Sequence, residues 1–174
     1  MTEPALFYRT ARPADAPAIV RLVNAAYRGP AGWTRETHIL AGDRTDESAV
    51  LAMMQAPESL ILLCLRGERP VGCVHLKRQT RDEAYLGMLA VDPGAQEGGL
   101  GKRLMNEAEA FAGKRWGATA VSITVIDRRP ELVAYYLRRG YAPTGETQPF
   151  PSGDGPSVAL VKDLELVVLR KPLQ

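Results

Sequence analysis

Apolar residues change their spacing along this chain, and the changes predict its elements. Leu6 opens a short run to Thr10 that reads as a strand. It is followed by Ile19, Leu22, Val23 and Ala26 at helical spacing, with Asp15 as the expected N-cap. Residues 28–44 break the pattern with Gly, Thr and charge and read as loop and short helix. Trp33 stands alone among polar neighbours, and Asp46 is placed to cap a short helix over 49–54. Two apolar runs, 60–66 and 71–78, flank Gly67-Glu68-Arg69-Pro70 and predict an antiparallel hairpin. A strand over 84–91 ends at Asp92-Pro93-Gly94, since proline cannot continue a central ladder.

The second half alternates more regularly. A helix over 100–116, a strand over 118–126 and a helix over 130–139 follow, the last opened by Pro130 and stopped by Gly140. A strand begins at Tyr141, residues 149–161 form a Pro/Gly/Ser-rich loop, and a final strand covers 164–170. No repeat or linker divides the chain, so residues 1–174 are expected to form a single domain of α/β or α+β class around a mixed sheet, with room for three layers.

Composition removes several function classes. With 45% hydrophobic and 24% charged residues, and no apolar run near the ~20 residues a membrane span needs, the chain reads as globular. The N-terminus lacks a secretory pattern, so a cytoplasmic location is expected. A net charge of +2 does not suggest a nucleic-acid surface. Cys64, Cys73, His38 and His75 do not make a spaced metal cluster. The two cysteines are read as strand residues that could meet across the hairpin but would stay reduced.

Chemistry concentrates in one loop. Gly98, Gly99 and Gly101 lie between a predicted strand and a predicted helix, where unpaired amide N–H groups and the helix dipole attract phosphate. Lys102 and Arg103 fall in the first turn, where cations oppose the dipole unless a polyanion is bound. Two phosphate-loop templates fail. Gln96 occupies the first glycine position of a P-loop and Arg103 its hydroxyl position, while Leu104 stands where a dinucleotide fingerprint needs its third glycine.

A third template fits. Gln96, Gly99 and Gly101, as Gln-x-x-Gly-x-Gly after Met88-Leu89-Ala90-Val91-Asp92-Pro93, resemble motif A of the GCN5-related N-acetyltransferases, the GNAT family. Tyr136-Leu137-Arg138-Arg139-Gly140-Tyr141 is similar to that family's Tyr-x-x-x-Gly-Phe/Tyr signature, and the element order agrees over residues 7–171. The resemblance implies a GNAT-like acyl-CoA N-acyltransferase fold, with a mostly antiparallel sheet splayed between the strands at 84–91 and 118–126 and flanked by helices. Acetyl-CoA is the implied co-substrate, without a metal.

The same resemblance supplies site residues. Cofactor contacts fall to Leu89, Ala90, Val91, Gln96, Glu97, Gly98, Gly99, Leu100, Gly101 and Lys102, with the pantetheine arm bonding Leu89 and Val91 like an added strand. A backbone N–H near Leu89 would stabilise the oxyanion and Tyr136 would protonate the leaving thiolate, while Tyr135 should face another side of the helix. No base stands out. Tyr85 occupies a position where some relatives carry glutamate, and Glu36, His38, Asp46, Glu146, His75 and a water relay remain open.

Arg129 replaces a frequent asparagine, so either it or Arg128 approaches the CoA phosphates, or both are exposed helix-start residues. Residues 27–46 and 147–163 should select the acceptor, a small-molecule or peptide amine, and a homodimer would fit the family's habit. The alternatives are a non-catalytic acyl-CoA sensor and a dinucleotide-binding oxidoreductase.

Overall fold

The computed structural model describes residues 2–30, 36–95, 98–151 and 155–174. Strand β1 (Leu6–Thr10) passes through a 3₁₀ turn at Pro13–Asp15 into α1 (Ala16–Arg28), and then come β2 (Leu40–Gly42) and α2 (Glu47–Gln55). Next are β3 (Ser59–Arg66), β4 (Arg69–Arg78), β5 (Glu83–Val91) and α3 (Leu100–Trp116). The chain closes with β6 (Ala120–Ile126), α4 (Pro130–Arg138), β7 (Ala142–Pro149), β8 (Ser157–Ala159) and β9 (Glu165–Pro172). Seven strands form one sheet in the order β1-β3-β4-β5-β6-β9-β7, antiparallel except for β5 against β6.

The pleat of β3 explains the layers. Ile61, Leu63 and Leu65 enter a core with Ile19, Val23 and Ala26 of α1, whereas Leu62 and Cys64 face Leu104, Ala108 and Ala112 of α3. Helices therefore cover both faces. Cys64 and Cys73 fall into these two different cores, so they do not meet across the hairpin, and both are the buried, free strand residues that the sequence predicts.

Other departures have local causes. Asp15 does not cap α1 with its side chain; its carboxylate accepts from Arg12 N at 2.7 Å and pairs with Arg9 at 2.7 Å. Asp46 does cap α2, accepting from Ala49 N at 2.8 Å. The hairpin turns on Gly67 and Glu68 alone, with Gly67 at φ 64°, and Arg69 and Pro70 already pair with Arg66 and Leu65. Strands β2 and β8 pair with each other inside segments that read as loops.

The positioning of the site begins in β5. Its ladder to β6 covers only Glu83↔Ala120, Ala84↔Val121 and Tyr85↔Ser122, after which the strands diverge as expected. On the other edge, Cys73 pairs with Ala90 and His75 with Gly87, so Met88 and Leu89 oppose Val74 alone. This is a β-bulge, and Met88 takes φ 51° within it. The bulge re-aims the backbone where the strands part.

Candidate active site

Two cavities open along the divergence of β5 and β6. The larger, about 510 Å³, is lined by Tyr85 to Met88 of β5, Ile123 to Ile126 of β6, Arg129, and residues of the β2–β8 pair. The smaller, about 160 Å³, is lined by Leu89, Val91, Gly99, Gly101, Lys102, Tyr135 and Arg139. Tyr27, Leu132 and Tyr136 line both. The cavities thus share a wall, and a reactant from each could meet there.

The smaller cavity has features that suit an anion. Gly98 and Gly99 have φ 87° and 71°, and no heavy atom lies within 4 Å of where a Cβ would sit on either. A backbone in this region favours glycine, and the open approach lets a large polyanion reach the first turn of α3. That turn holds no acidic residue, and Lys102 and Arg139 line the same space. Gly101 leaves room for a neighbouring ring. A Cβ there would stand 2.9 Å from the Tyr135 hydroxyl.

The structure brings Leu89, Val91, Gly99, Gly101, Lys102 and Tyr136 of the sequence-derived set to this one cavity. Leu100 instead is buried in the core between α3 and the sheet, Ala90 packs on the α1 side of the sheet, and Gly98 leads into the helix. Gln96, Glu97 and Trp33 lie outside the described residues. Tyr135 does not point away as expected. It lines the smaller cavity, edge-on to Tyr136 at 5.3 Å between ring centroids, with Arg139 stacked 5.2 Å from its ring.

Hydroxyl partners separate the tyrosines. Tyr27 donates to the Leu89 carbonyl at 2.7 Å, and Tyr85 is within 3.1 Å of Thr124 Oγ1. The Tyr136 hydroxyl makes no hydrogen bond among the described residues, although the residue is buried and lines both cavities. Burial, with the phenols of Tyr27, Tyr135 and Tyr85 around it, pushes Tyr136 well above the usual tyrosine range despite Arg129. Tyr136 therefore keeps its proton at neutral pH.

The acceptor-side candidates for a base are sorted by their surroundings. His75 is held at about 4 by burial and by Lys77, and its Nε2 lies 2.8 Å from Ser59 Oγ, away from both cavities. Asp46 is committed to its cap, while Glu146 and His38 are exposed. Glu36 does line the larger cavity, but it is an ion-pair centre: Arg28 lies at 2.7 Å, Arg129 at 3.4 Å and Arg44 at 4.0 Å. Arg129 is neither exposed nor on the wall of the smaller cavity; it is fully buried and pairs also with Glu131 at 2.7 Å. Arg128 is exposed and donates to the Lys162 carbonyl.

Tyr27, Arg28 and Arg44 were not singled out by the sequence. The first two sit at the end of an amphipathic helix, where an aromatic and a cation read as ordinary boundary residues. Among the described residues there is no cluster of metal-ligating side chains, and no helix is long and apolar enough to cross a membrane.

Comparison with known proteins fits this geometry. Residues 18–141 match the model of the acetyltransferase (GNAT) family. Ard1 from Thermoplasma volcanium superposes with TM-score 0.72 at 17% identity, covering 98% of this chain and 99% of that one. The ribosomal-protein-S18-alanine N-acetyltransferase from Escherichia coli gives 0.70 at 17% identity, covering 98% and 95%. YncA from Salmonella typhimurium, solved with its cofactor acetyl-CoA, gives 0.67 at 20% identity, again covering 98% and 95%. The sequence has no significant match among curated proteins. With the family model spanning most of the sequence and the fold shared end to end, the chain belongs to the GNAT family of acetyl-CoA-dependent N-acetyltransferases.

Proposed function

We propose that this enzyme passes the acetyl group directly from acetyl-CoA to an acceptor amine at the wall shared by the two cavities, with Tyr136 as general acid. The smaller cavity takes the CoA side, its pyrophosphate at Gly98, Gly99 and the first turn of α3 beside Lys102 and Arg139. The parallel ladder to β6 ends at Tyr85, and farther along β5 Leu89 and Val91 line the smaller cavity, where pantetheine amides add as a strand. Tyr27 already occupies the Leu89 carbonyl, and this bond steadies the bulge.

The larger cavity takes the acceptor. The neutral amine attacks the thioester carbonyl carbon, and the N–H of Leu89 stabilises the oxyanion that forms. As the C–S bond breaks, Tyr136 gives its proton to the sulfur. The nitrogen loses its proton to water held near Tyr85 and Thr124, because the one carboxylate lining that cavity among the described residues, Glu36, is surrounded by arginines. The observation that carries the reading is a protonated, unpartnered Tyr136 hydroxyl on the wall common to both cavities.

A free-thiol assay with acetyl-CoA and an amine panel tests it. Tyr136→Phe should lower kcat by about 10²–10⁴-fold, the usual value of a positioned acid, with CoA affinity nearly unchanged. Equal turnover in that variant removes Tyr136 as the acid. Tight CoA binding without thiol release for any amine would instead favour a sensor.

A further inference from the structure

The larger cavity carries more positive charge than its own acids neutralise. Arg28, Arg44 and Arg129 line it with Glu36, and Glu131 pairs with Arg129 from the solvent side, which leaves one positive charge over among the described residues. The hydrogen bonds show where it sits. Arg28 is fully committed, to Glu36 through Nε and Nη2, to the Gly42 carbonyl through Nη1, and to Ser157 through Nη2. Arg129 gives Nε to Glu131 and Nη1 to Glu36, but its Nη2 is buried with no partner. Buried unsatisfied donors are rare in native proteins and ask for an explanation.

Arg44 is also short of acceptors, though it is not buried. Its guanidinium lies 5.3 Å from the centre of the Tyr27 ring and reaches Glu36 only at 4.0 Å, beyond hydrogen-bond distance. Its side chain is one-third exposed, so an entering molecule can reach it. Two arginines with unfilled donors thus face one cavity, which also contains Tyr136. Arg129, Leu132 and Tyr136 line it at helical spacing along α4, with the arginine and the tyrosine about 10 Å apart along the axis, two turns of helix.

We propose that Arg44, backed by Arg129, binds a carboxylate on the acceptor, so that the substrate is a small amino acid or a close analogue with its amine directed to Tyr136. This rests on the acetyl-transfer reading. A monoanion neutralises the arginine cluster and gives the reachable Arg44 guanidinium the acceptor it lacks, with the buried Arg129 charge behind it. A polyamine would meet like charge, which selects against it. The cavity's 510 Å³ suits a small molecule, and the β2–β8 pair covers one side of it.

The test pairs each of the common L-amino acids with its methyl ester and its decarboxylated amine in the thiol-release assay, for the wild type and Arg44→Met. Acids should be preferred by about 10–100-fold in kcat/KM, mainly through KM, and Arg44→Met should remove the preference while the esters react as before. Esters or decarboxylated amines used as well as the acids, or a preference that survives Arg44→Met, overturn the proposal. Should no amine release CoA, acetyl transfer itself fails, and calorimetric titration of the CoA-loaded protein with the same acids decides the anion site separately. Heat that vanishes in Arg44→Met supports it, and no heat with any acid overturns it.

Discussion

Replacing Glu36 by Gln removes one negative charge from a site where three guanidiniums meet and leaves its shape nearly unchanged. The Glu36 side chain is 4% exposed, that of Arg28 7% and that of Arg129 0%, so water cannot take over the lost interaction. Breaking a buried pair from one side costs about 3–5 kcal/mol, because the partner charge stays buried. For a chain of this size, each kcal/mol moves Tm by about 2–4 °C. Thermal unfolding should therefore fall by roughly 6–20 °C. Activity measured well below the new Tm separates the roles: a counter-ion variant is unstable yet keeps a pH–rate profile of wild-type shape, whereas a lost base changes that shape at intact stability. A Tm within 2 °C of wild type, roughly 1 kcal/mol or less, would refute the ion-pair account.

Gly101→Ala should weaken CoA binding by tenfold or more in calorimetry with small change in Tm, because its Cβ would stand 2.9 Å from the Tyr135 hydroxyl on the wall of the smaller cavity; unchanged affinity would separate that cavity from CoA. His75 makes stability depend on pH. Its folded value, about 4, lies below the ordinary one of 6.5, so the contribution of the neutral ring is complete above about 6.5 and is lost as pH falls toward 4. Urea melts should show a decline of about 2–3 kcal/mol across that window that His75→Gln removes.

Long elements were legible because one physical rule dominates each of them. Helix α3 runs over Leu100–Trp116 as its apolar spacing predicts, and the strands that splay are those on either side of it. The start of α3 was legible too, since Gly98 and Gly99 take the positive φ that the turn into the helix needs. Strands β2 and β8 were not, because three residues each, with Gly42 and Ser157 among them, show no alternation and exist through pairing with each other. Nor was the arginine cluster: Arg28, Glu36, Arg44 and Arg129 are separated in sequence, and an arginine opening a helix gives no sign that the fold will bury it completely. The difference between Tyr135 and Tyr136 also lies beyond the letters. Both line the smaller cavity, and the fold alone decides that Tyr136 also reaches the larger one.

Direct transfer across the shared wall is tested most simply by intact-protein mass spectrometry after incubation with acetyl-CoA, with and without an accepted amine. Cys64 and Cys73 are both fully buried, and Cys73 is pushed up to about 12 by burial, so neither offers a thiolate to carry the acetyl group. The protein's mass should stay unchanged under both conditions, with CoA released and the acetyl group found on the amine only when the amine is present. An acetylated protein that hands its acetyl group to the amine in a chase would contradict the account.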